Sequence, residues 1–496
     1  MVNNILKKHS PNNVKPRLSK EITIGNVTIG GNNPIAIQSM TNTKTSNIKE
    51  TIAQINELFS KGCDIVRVAC LDIDDAKALK EITSSVSVPI VADIHFDYRI
   101  ALEAIENGIS KLRLNPGNIT DKEQIKLIVD KCKEKNIPIR IGINSGSINK
   151  DIFAKYGNTA EALVESAFEN IKILEELEFY NIVISLKSSS VSKTIEAYKL
   201  LADKCSYPLH LGITEAGLEY EGTVKSSIAL GHLLLSGIGD TIRVSLTTDP
   251  VREVICGIEI LSSLGMYPKP RLISCPTCGR CEYNMMPIAN EINTYLNNFK
   301  GDFKVAVMGC VVNGPGEAKD ADLGIAGGKD CAILFKHGKL VKKLYYNEII
   351  KWLKMEIYLL ANEFSYEIKD TISDDIKEIR EIVFIKEQGF KNEFDEIDNF
   401  AKYATIYHND LIIATGRIYQ TENAYHIGRL CVRKEYRKKD LGSYILLLLE
   451  STVKGTIYIS GQVQAKEFYQ KNGYQLTGVS SDDEGVPHVE LYKEIK

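Results

Sequence analysis

From about residue 35 the chain alternates short apolar runs with longer amphipathic stretches. The runs are IAIQSM (35–40), DIVRVAC (64–70), PIVADIH (89–95), KLRLNP (111–116), PIRIGIN (138–144), NIVISLK (181–187), PLHLGIT (208–214) and TIRVSL (241–246). Runs of this length, rich in Ile and Val, read as buried strands. The segments between them, such as NIKETIAQINELFSKG and TAEALVESAFENIKILEELE, place apolar residues at helical spacing, with glycine near several ends. Eight strand–helix repeats over 35–264 predict an α/β protein built on a (β/α)8 TIM barrel. An open doubly wound sheet alternates in the same way, but no GxGxxG follows an early strand, which weakens its dinucleotide-binding version.

The rhythm breaks after the eighth unit. Residues 271–340 are rich in Gly, Cys and Pro, with short strands between turns, and predict a small α+β module. A helical stretch over 340–363 is expected to lead away from it. From about 365 a helix, a strand pair and a long strand–helix unit follow to the end. The pattern therefore divides the chain into domains at 1–268, 269–362 and 363–496, and a length of 496 residues agrees with about 150 per domain.

Charge excludes some partners. The 61 Lys+Arg and 64 Asp+Glu leave a net charge of -3, with no basic footprint for nucleic acid. No apolar h-region stands in the first twenty residues, and the longest purely aliphatic run, Ile445 to Leu449, is too short to cross a bilayer. A soluble, cytoplasmic protein without membrane attachment is expected. The eleven cysteines are an odd number spread from Cys63 to Cys431, which does not resemble a disulfide framework.

Polar residues cluster toward the C-terminal halves of the eight runs: Arg67; Asp93 and His95; Arg113 and Asn115; Arg140 and Asn144; Lys187 and Ser188; Thr214 and Glu215; Arg243 and Ser245. A barrel's ligand site forms at that end of its strands. An arginine flanked by aliphatic residues needs an anion, because an unpaired buried charge is costly. Four such arginines and a lysine imply a compact, multiply charged anion such as a diphosphate. Pairing with Asp93 or Glu215 is the structural alternative for any one arginine, but the carboxylates are too few to serve the whole ring.

Three cysteines crowd into Cys275-x2-Cys278-x2-Cys281, and Cys310 follows. Four thiolates would resemble a ferredoxin-type iron–sulfur set, and structural zinc is the alternative. VNGPGE, after Cys310, places Glu317 beyond a glycine-rich turn. A carboxylate on one iron would be exchangeable and would leave that iron open to substrate.

CPTCGR (275–280) with CVVNGPGE (310–317) resembles the iron–sulfur module of the 4-hydroxy-3-methylbut-2-enyl diphosphate synthase family of the methylerythritol phosphate route to isoprenoids. IQSMTNT, DIVRVAC, VADIHFDYR, KLRLNPGNI, IRIGINSGS, ISLKSS, LGITEAG and TIRVSLTTDP are similar to the same family in order, so the resemblance covers about residues 18–350. It implies a [4Fe-4S] cluster on Cys275, Cys278, Cys310 and Glu317, with Cys281 a bystander. The remaining cysteines, Cys63, Cys70, Cys132, Cys205, Cys256, Cys331 and Cys431, are then expected to be small buried hydrophobes. The implied substrate is 2-C-methyl-D-erythritol 2,4-cyclodiphosphate, held by Arg67, Arg113, Arg140, Lys187 and Arg243 with His95, Asn115, Asn144, Ser188, Thr214 and Ser245. The implied chemistry is reductive ring opening with loss of a hydroxyl, with electrons from reduced ferredoxin or flavodoxin. Glu317 would mark the reacting iron, Glu215 is the first acid/base choice and Asp93 the second. A homodimer in which the cluster module of one chain caps its partner's barrel is also implied.

In the tail, IGRLCVRKEYRKKDLGSYILLLLE resembles the strand–loop–helix of GNAT-type N-acetyltransferases. REIVFIKEQGFKNEFDEID and AKEFYQKNGYQLTG support the resemblance. There an R-x-x-G-x-G turn exposes backbone N–H groups to the pyrophosphate of acetyl-CoA. Here the turn is Arg437-Lys438-Lys439-Asp440-Leu441-Gly442, with Asp440 in place of the first glycine. Val432, Arg437, Lys438 and Gly442 are the implied coenzyme contacts, and Tyr469 the implied general acid. A merely solvated basic face is the alternative.

The competing functions are a fused reductase–acetyltransferase, an iron–sulfur electron carrier or scaffold with a non-catalytic tail, and a zinc-stabilised barrel. A carrier needs no diphosphate pocket. The ligand set separates the remaining readings: Cys281→Ser should retain the visible absorption of the cluster and full turnover, while Glu317→Ala should lose both. Loss of the chromophore in Cys281→Ser would instead establish a four-thiolate set.

Overall fold

The computed structural model describes residues 14–495, apart from 96, 120, 311–315, 317 and 423. Two compact units divide the chain, 1–268 and 269–496.

The first unit opens with a hairpin, β1 (Ile22–Ile24) and β2 (Val27–Ile29). The eight apolar runs then form β3 (Ala36–Met40), β4 (Ile65–Ala69), β5 (Ile90–Asp93), β6 (Lys111–Arg113), β7 (Ile139–Asn144), β8 (Ile182–Lys187), β9 (His210–Leu211) and β10 (Thr241–Ile242). All are parallel, in the order β8-β7-β6-β5-β4-β3-β10-β9. A parallel bridge between Ile184 and Leu209, with the Ile184 N–H donating to Pro208 O at 2.9 Å, joins β8 to β9 and closes the barrel. Six of the surrounding helices start at a side-chain cap (Asp72, Asp97, Asp121, Thr159, Ser190 and Asp249), each accepting a first-turn N–H. These caps fix where the βα loops end and hence the frame of the upper rim. At the opposite end Ile22, Ile24 and Ile29 of the hairpin pack on Ala36, Ile65, Val91 and Val183, plugging the barrel floor with apolar side chains.

The second unit holds two sheets. The first runs β11 (Arg271–Ser274), β12 (Lys304–Met308), β13 (Leu323–Gly327), β14 (Cys331–Lys336), β15 (Lys339–Tyr345), parallel across its first three strands and antiparallel thereafter. The expected helix over 340–363 is corrected here: its first part is β15. Residues His337 and Gly338 both adopt positive φ (46° and 72°), the two-residue hairpin turn whose twist matches its strands, so the chain reverses and pairs instead of coiling. Only Ile349–Ala361 is helical. The second sheet contains β16 (Phe364–Lys369), β17 (Lys402–His408), β18 (Leu411–Gln420), β19 (Tyr425–Val432), β20 (Gly455–Gln462), β21 (Gln475–Asp483) and β22 (Val486–Ile495), in the order β16-β17-β18-β19-β20-β22-β21. The tail is thus the expected α/β fold, with helix Leu441–Glu450 packed on the sheet.

Helix Ile349–Ala361 belongs to the cores of both sheets. Its residues Ile349, Trp352, Leu353, Met355, Ile357 and Leu359 join one hydrophobic cluster with Val305 and Ile325 on one side and Ile406, Ile445 and Leu448 on the other. A helix apolar around its circumference must be covered on all sides. Its fully buried Glu356 accepts from Lys336 Nζ (3.1 Å) and the Tyr366 hydroxyl (2.8 Å), one partner from each sheet. A chain ending after Asn362 should therefore expose this face: reduced soluble yield, dye binding to apolar surface and a lowered unfolding midpoint of residues 269–362 are expected, and wild-type stability of the truncated chain would contradict the shared core.

Candidate active site

Strand parity builds the barrel interior. On β4, β6, β7 and β8 the alternate residues Val66, Val68, Leu112, Ile141 and Ile184 join the core beneath the helices. The other parity carries Arg67, Lys111, Arg113, Arg140, Ser185 and Lys187. Thus the aliphatic character that makes these segments strands sits on one face, and the chemistry sits on the other.

Asp93 is the hub. It accepts from Arg113 Nη1 at 3.1 Å and pairs with Arg67 Nε at 3.5 Å. Burial alone would push its carboxyl up, but Arg67, Arg113 and Arg140 together hold it below the usual carboxylate range. An ionised Asp93 organises arginines and is poorly suited to proton delivery. Arg113 Nη2 also donates to Gly142 O (3.2 Å). Asn115 clamps the same glycine, donating to its carbonyl and accepting its N–H at 2.8 Å each, which places it in support of the arginine layer. Arg140, 1% exposed, donates to Ser185 Oγ at 2.6 Å, while its Nε and Nη2 have no acceptor. Arg113 Nε and Arg243 Nε are in the same position. Lys187 is buried beside Gly212, where a Cβ would lie 3.1 Å from its Nζ and 2.7 Å from Arg243 O; only glycine leaves room for the lysine. Burial first, then Arg243, Arg67 and Arg140, hold Lys187 well below the ordinary lysine range.

Arg243 does not pair with Glu215. It faces Glu253 of helix Pro250–Ser263 at 3.4 Å, and Glu253 also accepts from Ser39 Oγ and the Leu246 N–H. Glu215 is exposed on the loop after β9, with a left-handed backbone (φ 54°). Ser188 is buried and accepts the Ser190 N–H at 3.2 Å, Asn144, Thr214 and Ser245 are half-buried, and His95 is exposed. Sequence reading overlooked Lys111, His210 and Glu253. Lys111 and His210 each stand two residues before a residue of the inner face, a signal that parity carries; Glu253 is helical and gave none. Six basic side chains (Arg67, Lys111, Arg113, Arg140, Lys187 and Arg243) thus surround two carboxylates, Asp93 and Glu253. This interior lacks acceptors and can supply many donors to a polyanion.

In the second unit Cys275 follows β11 and Cys310 lies two residues after its parallel neighbour β12, so adjacent strand ends bring these two cysteines to one edge. The Gly309 N–H points to Cys275 Sγ at 3.2 Å, and Cys278 is exposed, its thiol held below the ordinary range by the Arg280 N–H and side chain. Cys281 Sγ lies 3.1 Å from Tyr283 O and also beside Gly309, and both Cys275 and Cys281 pack against the hydrophobic cluster. Glu317 lies outside the described residues, among which no three His, Cys, Asp or Glu side chains gather around one point as for a single metal ion. Soft thiols on a C-x2-C turn and a neighbouring strand end fit a multi-iron cluster, which spans more space than one ion. Of the other cysteines, Cys63, Cys70, Cys132, Cys256 and Cys431 are buried as expected; Cys205 and Cys331 are only partly covered.

In the tail, β19 and β20 pair in parallel through three residues only, 425–427 with 457–459. A cleft of about 300 Å³ lies beside β19, lined by Val432, Arg437, Lys438, Asp440 and Gly442 on one wall and Val383 and Gln388 on the other. Asp440 adopts the left-handed conformation (φ 57°) that a glycine would hold more easily, and its side chain leaves the N-terminus of helix Leu441–Glu450 uncapped. Arg437 is engaged: Nε donates to Val432 O, and Nη1 and Nη2 donate to Glu387 at 2.6 and 2.7 Å. Tyr469 is not among the cleft-lining residues; it is buried against Gly461, Phe468 and Tyr474, and burial pushes its hydroxyl up to about 12.

A (β/α)8 barrel whose interior is rich in buried basic side chains, followed by a thiol-bearing module, fits the class of enzymes that act on phosphorylated substrates. The GcpE TIM-barrel domain matches residues 19–258, the GcpE protein C-terminal domain 271–358, and the acetyltransferase (GNAT) domain 369–495. The 4-hydroxy-3-methylbut-2-en-1-yl diphosphate synthase (flavodoxin) of Clostridium perfringens is 54% identical over 338 residues, covering 68% of this chain and 97% of that protein. That of Caldanaerobacter subterraneus subsp. tengcongensis is 54% identical over 349 residues, 70% of this chain and 98% of its own. The chain belongs to the GcpE family of 4-hydroxy-3-methylbut-2-en-1-yl diphosphate synthases and carries a GNAT domain as its tail.

The acceptor deficit makes a stability prediction. Replacing a buried, uncompensated cation with a similarly sized apolar side chain is neutral or stabilising. Arg140→Met should leave the unfolding midpoint of the ligand-free protein unchanged or raised while abolishing substrate affinity. Asp93→Asn, which strips the counter-charge from Arg67 and Arg113, should cost about 3 kcal/mol in the same denaturation measurement.

Proposed function

We propose that the chain reductively opens 2-C-methyl-D-erythritol 2,4-cyclodiphosphate to 4-hydroxy-3-methylbut-2-enyl diphosphate in isoprenoid biosynthesis. The observation that carries the proposal is the barrel interior: buried guanidinium donors without acceptors, at the end of the strands where a cyclic diphosphate would enter. Arg67, Arg113, Arg140, Lys187 and Arg243 neutralise the phosphates, while Asp93, Glu253 and Asn115 keep those cations in place. His95, Asn144, Ser188, Thr214 and Ser245 complete the rim.

A [4Fe-4S] cluster on Cys275, Cys278, Cys310 and Glu317 would supply the electrons and a Lewis-acidic iron for the departing oxygen. The reaction takes up two electrons and protons; one C–O bond to the ring phosphate breaks and a hydroxyl leaves as water. Glu215, exposed to solvent on the loop after β9, is the residue for proton delivery, since Asp93 is held ionised. The relatives are named for flavodoxin; reduced flavodoxin, or ferredoxin, is the proposed electron donor here. We assign three domains, 1–268, 269–362 and 363–496, acting in a cytoplasmic homodimer whose cluster module caps the partner's barrel and excludes water. No helix among the described residues is long and apolar enough to cross a membrane. The tail cleft is assigned to acetyl-CoA, with Lys438 and the uncapped N-terminus at Leu441–Gly442 facing the pyrophosphate.

Anaerobically prepared, cluster-loaded protein with a strong reductant should consume the cyclodiphosphate and release 4-hydroxy-3-methylbut-2-enyl diphosphate. Absence of product with an intact cluster would refute the assignment. Calorimetric titration with acetyl-CoA tests the tail separately, and no heat at millimolar ligand would make it a structural domain.

A further inference from the structure

Beneath the cations that meet the substrate lies a second polar layer. Lys111 leaves β6 two residues before Arg113, and its side chain is fully buried. Its Nζ donates to Gln38 Oε1 on β3 at 3.1 Å, and among the described residues no carboxylate pairs with it. The charged and titratable groups that face it are Arg67 from β4, Arg140 from β7 and His210 from β9. His210 is itself fully buried, with Nδ1 2.7 Å from Thr241 Oγ1. Gln38 Nε2, His210 Nε2 and both remaining guanidinium nitrogens of Arg140 have no hydrogen-bond partner. The layer therefore holds an excess of donors and no negative charge. Burial, with Arg140 and Arg67 beside it, holds Lys111 well below the ordinary lysine range.

We propose that Lys111 is a neutral amine in the ligand-free barrel and takes up a proton when the diphosphate enters above it, making it a positioning residue that completes the charge of the anion site. The inference rests on the diphosphate reading of that site. Two phosphate charges entering the upper layer offset the repulsion of Arg67 and Arg140, so the ammonium form becomes affordable only with ligand present. Gln38 suits this role because its carbonyl oxygen accepts an N–H from lysine in either state. A glutamate there would fix the charge permanently and spend it on an internal ion pair.

The test is titration calorimetry of full-length, cluster-loaded protein with the cyclodiphosphate, without reductant, near pH 8 in two buffers of different ionisation enthalpy. The phosphate oxygens of a cyclodiphosphate are already ionised there, so protons taken up on binding enter the protein. Lys111→Met should take up about one proton fewer per site, and the wild-type affinity should fall with rising pH more steeply than that of the variant, by up to tenfold per pH unit. Gln38→Glu, isosteric and giving Lys111 a carboxylate, should lose the same proton by charging the lysine beforehand, and it decides the matter if Lys111→Met does not fold. Proton uptake equal to wild type in every folded variant overturns the proposal while leaving the diphosphate reading intact. No binding by the wild type overturns the diphosphate reading, and this inference with it.

Discussion

Buried positive charge with too few negative partners is the constraint on which this barrel depends. Arg67, Arg113, Arg140, Lys187 and Arg243 converge on a space that Asp93 and Glu253 only partly neutralise. A closed ring of parallel strands makes the convergence unavoidable, because every second residue of each strand points at the axis. The cost of desolvating these cations is met by an aliphatic outer face of Ile, Val and Leu beneath the helices and by the apolar plug at the floor. What the interior lacks is acceptors, and in the proposed reading a diphosphate would supply them. On that reading ligand recognition and barrel energetics are one problem: the substrate would offset charge that the folded state leaves uncompensated.

The second unit follows a different economy. Cys275 and Cys310 are adjacent because β11 and β12 are parallel neighbours, so the thiol edge is set by the sheet rather than by loop chance. Cys281, from the same motif, sets its sulfur against Tyr283 O and beside Gly309. The same unit makes helix Ile349–Ala361 common to the thiol module and the tail. Relatives matched over nearly all their length align with only 68–70% of this chain, so the apolar outer face of that helix has a covering in this fusion that the matched region alone does not provide. The tail is in that respect part of the reductase's architecture, whatever its cleft binds.

The barrel was legible in the sequence because its signal is redundant: eight apolar runs became eight strands, and their arginines and lysines fell on one parity. Lys111 and His210 were equally open to that argument but lay too near the start of their strands to look like mouth residues. The floor hairpin, with Gly25 and Asn26 between two β-branched triplets, carried a turn signal in a stretch too short to show periodicity. LVKKL in β15 suits either a helical or a strand period, and the positive φ at His337 and Gly338 decides for a hairpin. Glu253 was invisible because a helix residue reaching into a barrel mouth leaves no local pattern. Tyr469 shows the opposite failure: a motif position can be matched while its side chain is committed to packing against Gly461.

The central claim is that the ligand-free barrel holds uncompensated positive charge which a cyclic diphosphate relieves. The most direct measurement is the thermal unfolding midpoint of cluster-loaded, oxidised protein against rising cyclodiphosphate concentration. The account predicts a progressive rise, with about 2.7 kcal/mol of added stability at a hundredfold excess over Kd, that an uncharged methylerythritol does not reproduce. A midpoint insensitive to the cyclodiphosphate, or raised equally by the uncharged polyol, would contradict it.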